Sequence, residues 1–491
     1  MRRMALGMVV MVGVIWVAAT VWAQTNLTVV RHSDDTLWAM TCSGLRCNPE
    51  IEIRGKFTSQ PSLTWDPSIQ KYILIGVGQK ANGIYRSTFN ADGTFNNDWT
   101  LLPGTSYSPV AVSGGAFLGN LSITNANLAA NSVTPDKIAF YHKVAIVALT
   151  GGNYADPVTA MANLNLWCGT PSATSPCMMK IMPGVYDIGT KHLAMQSYVD
   201  IEGSGENTTI ITGNSHPGVV SGASNAEIRF LTVKNTGGVG QAWAIYNQGL
   251  SLSAKMTNVT ASASGGIIDN YGVYNVSSSP TMTNVTASAS GGTNNCGVRN
   301  NSSSPTMTNV TASASGGTNN YGVYNNSSSP TMTNVTASAS GGTTSYNFGV
   351  RNDSSSPTMT NVTASASGGI ISCGVSNNSS SPTMTNVTAS ASGTGSCGVW
   401  NVSSSPTMTN VTASASGGNS DVGISSSHSG TIRINHSVIK GSSQTVRIGS
   451  GVTTYIGNTQ LDGGPVYNNG GTLICAGVYD ENYTFYASTC P

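Results

Sequence analysis

Charge is nearly missing from this chain. Its 491 residues hold 21 Lys and Arg against 20 Asp and Glu, for a formal net charge of +1. That excludes nucleic acid and anionic membrane surfaces as partners, since both require a basic face. No Cys/His spacing matches a metal site, so neither a metal nor another cofactor is expected. Outside residues 4–22 no stretch approaches the length of about 18 apolar residues that crosses a bilayer, so no membrane span is expected after the leader. Helical periodicity is absent as well.

What the chain has instead is one phrase used seven times. Met-Thr-Asn-Val-Thr-Ala-Ser-Ala-Ser starts at Met256, Met282, Met307, Met332, Met359, Met384 and Met408, a step of 24 to 27 residues. A step of this size marks a solenoid, in which each unit buries its apolar face only against its neighbours. Gly, Ser and Asn at the corners select β-coils over helical pairs. Fixed positions for Val, Met, Ile and Tyr separate the array from a flexible low-complexity linker.

Four segments follow. Residues 1–23 read as a signal peptide: Arg2 and Arg3, an apolar run, and Val21-Trp22-Ala23 as the cleavage site. A retained N-terminal anchor is the other reading of that run. Residues 24–118 form a small β-rich domain with a faint internal duplication. In it, Thr36-Leu-Trp-Ala-Met-Thr41 matches Gly83-Ile-Tyr-Arg-Ser-Thr88 at a step of 47. A repeat of that length suits a propeller blade. Residues 119–141 are a linker or a trimerisation segment, and residues 142–491 are the solenoid. Near its start, Asp156 and Pro157 set up an N-cap and first turn for a short helix to Leu164 that closes the open first coil.

Within one coil, strand alternation points Val273, Met282, Val285, Ala287 and Ala289 inward. Tyr274, Thr281, Thr283, Thr286, Ser288 and Ser290 point outward. Asn284 falls where alternation slips by one residue, so it marks a corner whose copies stack as an Asn ladder. The same Asn opens an Asn-Val-Thr glycosylation sequon in all seven copies. Coils stack only about 4.8 Å apart, so glycans on every rung would collide, and the ladder is the better reading. It also suits a bacterial source.

An exported chain with nine Cys is expected to form disulfides. The close pairs are Cys42 with Cys47, Cys168 with Cys177, and Cys475 with Cys490. Cys296, Cys373 and Cys397 occupy a repeat position that holds Tyr271, Tyr321 or Phe348 in sister coils. It reads as a core slot, which makes these three buried free thiols. Cys373 and Cys397 sit on adjacent coils, where a bridge is the alternative.

Met179-Lys-Ile-Met-Pro-Gly-Val-Tyr-Asp187, Tyr198-Val-Asp-Ile-Glu-Gly-Ser-Gly205 and Asn225-Ala-Glu-Ile-Arg-Phe-Leu-Thr-Val-Lys-Asn-Thr-Gly237 resemble the opening coils of pectinesterases. The repeats and the tail, Cys475-Ala-Gly-Val-Tyr-Asp-Glu-Asn-Tyr483, resemble secreted bacterial β-helix proteins of the pectin lyase-like superfamily. The resemblance implies an all-β, right-handed parallel β-helix of ~25-residue coils. The segment at 119–141 is similar to short stretches of secreted and phage-tail fibre proteins, which implies a homotrimer.

Pectinesterase chemistry needs a nucleophilic carboxylate, a second carboxylate as acid and base, and Gln groups for the oxyanion. Gln241 matches one Gln position, and Asp269 is a lone carboxylate where the family has a pair. The acidic calcium ligands of the lyases are missing too. The chain therefore departs from the family at its chemistry, and fold analogy alone licenses no activity.

The outward residue after Gly-Val varies where the repeats otherwise do not: Tyr274, Arg299, Tyr324, Arg351, Ser376 and Trp400, headed by Tyr246. Stacking makes these one stripe of flat, amphipathic side chains, suited to sugar rings. Plain tolerance of aromatics at exposed strand positions is the alternative. The expected role is a secreted or surface-exposed, non-catalytic β-helix that binds polysaccharide or a cell-surface glycan, or mediates adhesion. A pectinesterase-like or other polysaccharide-modifying enzyme and a structural spacer are the alternatives. The Thr281/Thr283 pairs, repeated on six coils, resemble ice-binding surfaces more distantly.

Overall fold

The computed structural model describes residues 26–105 apart from 32–35, 44–45, 48–50, 58–60, 67–68, 78–82 and 91–93, and residues 141–491 apart from 238–239, 251–253 and 342–343. The leader at 1–23 and the connector at 119–140 lie outside the described residues. Two compact units divide between residues 137 and 138.

The first unit holds two four-stranded antiparallel sheets. One is built from Asn26–Arg31, Thr36–Ser43, Arg46–Cys47 and Ile51–Lys56, the other from Ser62–Asp66, Lys71–Val77, Gly83–Asn90 and Thr100–Thr105. Each sheet carries one half of the duplicated segment. Alternating apolar residues close a shared core in which Leu37, Ile53, Leu74 and Phe89 are fully buried. Cys42 faces Cys47 across the backbone register; their side chains lie outside the described residues.

The second unit is a parallel β-solenoid. One face is a 12-stranded sheet running from Leu193–Ala194 to Tyr467–Asn469. A typical coil contributes Asn319–Asn326 to that face, then Thr331–Thr333 and Thr336–Ser340 to the remainder of the wall. Pairing keeps every copy on its counterpart: Val323 on Val350, Met332 on Met359, Ala337 on Ala364. This register follows from period-2 alternation, because a one-residue slip would turn each Met, Val and Ala out to water. The resulting core runs unbroken from Val147 to Val478.

Between the last two strands of a coil the backbone turns at Asn334, whose φ is +54°. Its equivalents take the same left-handed conformation, which Asn tolerates, and stack as an exposed amide ladder. Asn334 donates to Asn309, and Asn361 to Asn334, both at 3.0 Å. A second amide column runs inside the solenoid. Asn275, Asn300, Asn325, Asn352 and Asn377 each donate to the next copy at 2.8–2.9 Å and are fully buried.

Asp156 caps the Pro157–Ala162 helix by accepting from the Thr159 amide at 2.8 Å, and Ala160 and Met161 join the main core. A disulfide joins Cys168 to Cys177 at this end, and another joins Cys475 to Cys490 near the other. Cys373 and Cys397 are bonded to each other, so the expectation of free thiols holds for Cys296 alone. Their strands pair Cys373 directly with Cys397, which brings the two sulfurs together.

The Tyr/Phe/Cys slot is not part of the main core. Tyr271, Cys296, Tyr321, Phe348, Cys373 and Cys397 form a separate buried cluster, packed against Tyr274, Tyr324 and Trp400. The glycine after each explains this. A Cβ on Gly322 would stand 2.6 Å from the Ser338 amide nitrogen and 2.6 Å from the Gly349 carbonyl oxygen. The two walls of the solenoid touch at that point, so the core has no room for a ring, and the large side chain is turned to the other face.

Candidate functional site

The outer face of the 12-stranded sheet carries the candidate site. On successive strands Tyr246 pairs with Tyr274, Tyr274 with Arg299, Arg299 with Tyr324, Tyr324 with Arg351, Arg351 with Ser376, and Ser376 with Trp400. Parallel in-register pairing therefore places the six stripe residues in one line. All six are partly exposed, while Ser376 is only 5% exposed and interrupts the line before Trp400.

Alternation would put Tyr271 and Tyr274 on opposite faces. No register pair falls at Gly272, and both rings lie on the same side, 5.1 Å apart. The face is consequently two residues wide. Trp243 stacks on Tyr271 at 6.0 Å and meets Tyr274 edge-on at 4.9 Å. Tyr321 stacks on Phe348 at 5.8 Å and on Tyr324 at 4.9 Å. Sequence reasoning took Tyr271, Tyr321 and Phe348 for a core slot and passed over Trp243; the first three are buried and Trp243 partly buried, as an inner row on the stripe's side of the sheet. Its signal was Tyr-Gly-Val-Tyr at 271–274 and 321–324, two aromatics three apart around a glycine; Trp243 and Phe348 lack that pattern.

The two arginines are held differently. Arg299 lies 5.1 Å from the Tyr271 and Tyr324 ring centroids and 5.6 Å from that of Tyr274, and donates to the Tyr271 hydroxyl at 2.6 Å. Arg351 covers Phe348 at 5.2 Å and pairs with Asp353 at 3.0 Å. Asp353 also accepts from the Tyr324 hydroxyl at 2.7 Å. Burial raises the Tyr271 and Tyr324 phenols above their ordinary 10.0, and hydrogen bonds to Asp269 and Asp353 add to it. Burial likewise pushes the Cys296 thiol up to about 12, which leaves it neutral and unreactive.

Gln241 and Asp269 are brought together. The Gln241 amide donates to one Asp269 oxygen at 2.9 Å, and Asn294 donates to the other at 3.0 Å. Both carboxylate oxygens are thus engaged by amides, and no second carboxylate joins them among the described residues. Three carboxylates do converge elsewhere, where Arg229 contacts Asp200 at 3.4 Å and Glu202 and Glu227 at 2.7 Å each. The guanidinium neutralises them, and the arrangement ties the strands Val199–Glu202 and Glu227–Asn235 together. The Thr pairs stay in register along another wall, from Thr281 on Thr306 to Thr383 on Thr407. No group of ligands able to hold a metal occurs among the described residues, and no helix there is long and apolar enough to cross a membrane.

No protein-family model matches this sequence, and no curated protein does. Among solved structures it is similar to the catalytic domain of a GH87 α-1,3-glucanase in complex with nigerose, at 14% identity and a TM-score of 0.42 over 71% of this chain and 68% of the other. It is also similar to a pectin methylesterase from carrot, at 12% identity and 0.28 over 69% and 89%. A third similarity is to ORF18 of Geobacillus virus E2, at 12% and 0.32 over 82% and 69%. At such identities and scores the comparison assigns no activity. The chain is a parallel β-helix whose distinctive surface is an aromatic–arginine stripe.

Proposed function

We propose that this protein is an exported, extracellular rod that binds polysaccharide or a cell-surface glycan on the stripe of Tyr246, Tyr274, Arg299, Tyr324, Arg351 and Trp400, without turning the ligand over. One observation carries the reading: the register lines these partly exposed side chains up on successive strands from Tyr246 to Arg351, with Trp400 one strand beyond Ser376. Flat rings backed by a second aromatic row are rigid platforms, so little entropy is lost when a sugar stacks on them. The reading includes export from a bacterial cell by residues 1–23 and trimerisation through residues 119–141.

A pectinesterase-like activity is the competing reading, and the pairing of Gln241 with Asp269 supports it. Against it, no second carboxylate stands beside Asp269 among the described residues to act as acid and base. A glycan array, with methanol release from pectin followed in parallel, separates the two. Binding without methanol, weakened about tenfold by Tyr324→Ala and less by the isolated Trp400→Ala, is the expected result. Methanol release abolished by Asp269→Asn would replace the rod with an enzyme, and silence in both assays would leave a structural spacer.

A further inference from the structure

We infer, resting on the polysaccharide reading, that the stripe is built for an acidic polysaccharide whose charge recurs on every second sugar and whose chain lies along the stacking axis of the coils.

Four consecutive register positions read Tyr274, Arg299, Tyr324, Arg351. Aromatic and cation alternate with a period of two rungs. Two rungs advance about 9.6 Å along the solenoid, close to the length of one disaccharide in an extended chain. A polymer laid along this axis presents a ring to each Tyr and, one sugar further on, a substituent to each Arg. A ligand charged on every sugar would set anions against the tyrosine faces, whose π-electrons repel them.

Arg299 is the more telling of the two cations. It makes no ion pair among the described residues. Its Nη1 donates to the Tyr271 hydroxyl, its Nη2 has no acceptor among the described residues, and its Nε is buried with none. The carboxylate nearest along this network is Asp269, reached only through that hydroxyl and already held by Gln241 and Asn294. A half-buried guanidinium with idle donors is a costly arrangement. A carboxylate or sulfate on a bound sugar would neutralise the charge and accept from the open edge. Arg351 already has a counter-ion in Asp353. Arg299 is therefore the first seat, with Tyr274 and Tyr324 as the uncharged platforms on either side.

The test is calorimetric titration of the protein with three probes: a polymer of alternating glucuronate and N-acetylglucosamine, the same polymer with its carboxyls reduced to alcohols, and polygalacturonate. The alternating acid polymer is expected to bind about tenfold more tightly than its reduced form in low salt, with the gap closing near 1 M salt. Arg299→Gln should remove the gap and Arg299→Lys retain part of it, while Tyr324→Ala weakens both forms alike. The wild-type comparison of the two polymers stands even where a variant fails to fold. Equal affinity for the acid and reduced polymers overturns the inference and leaves polysaccharide binding intact. Tighter binding of polygalacturonate overturns the two-rung period. No binding to any polymer, here or on neutral glycans, removes the reading beneath it.

Discussion

The guanidinium of Arg299 donates a 2.6 Å hydrogen bond to the hydroxyl of Tyr271 and lies 5.1 Å from the centre of its ring. The two residues come from adjacent coils, and between the Tyr271 and Tyr321 rings the column holds only the short Cys296. Tyr271→Phe keeps the ring and removes the acceptor. Unfolding in urea should show a loss of about 1–2 kcal/mol, the worth of a hydrogen bond to a charged group after allowance for partial exposure. An unchanged midpoint would mean that the contact is incidental.

Asn325 and Asn334 belong to one coil and both sit in amide ladders, yet they should differ widely on substitution. Asn325 is fully buried between Asn300 and Asn352. Asn325→Ala leaves a donor and an acceptor without partners inside the core, at about 2–4 kcal/mol. Asn334 faces water, so Asn334→Gly, which keeps its left-handed backbone, should change stability by less than about 1 kcal/mol. Equal losses in paired denaturation curves would contradict the assignment of inner and outer ladders.

Gly322→Ala places a methyl 2.6 Å from two backbone atoms of neighbouring strands. The walls must part locally, and overpacking of this kind typically costs about 1–3 kcal/mol. A neutral outcome by thermal melting would show that the two walls are not in contact there.

Acid should weaken the coils around Glu202. Burial alone would raise its pKa, but hydrogen bonds from Lys180 and Arg229, with the charges of both, hold it below the ordinary 4.5. A carboxyl depressed in the folded state adds stability that is present above its unfolded pKa and is lost as pH falls through the folded value. Urea midpoints should thus hold steady from pH 7 to about 5 and fall below about 4.5. Glu202→Gln should flatten that part of the profile, and a slope unaltered by the substitution would assign it to other acids.

Much of the solenoid was legible in the repeat. Met282, Val285 and Ala287 point into the core, and Thr286 and Ser288 away from it, as alternation with one slip at Asn284 requires. The stripe was legible for the same reason, since parallel register carries Tyr274 onto Arg299 without further information. The inner aromatic row was not. Tyr271 is apolar and buried, and only the close approach of the walls at Gly272, a contact between residues distant in sequence, turns it away from the core. The inner ladder was hidden for a related reason. Asn275 is polar, and nothing local reveals that its amide meets the amide of Asn300 one coil on.

Those ladders bear on how a gene for such a protein changes. Every internal copy of Asn300 receives from the coil before and gives to the coil after through the same two atoms. A duplication of one whole unit would reproduce both bonds at each new junction, and a deletion of one whole unit would rejoin the same partners. A partial unit would break the column and expose the core. Length can therefore change by whole coils at no cost to this column, while a change of cross-section in one coil is felt by both of its neighbours.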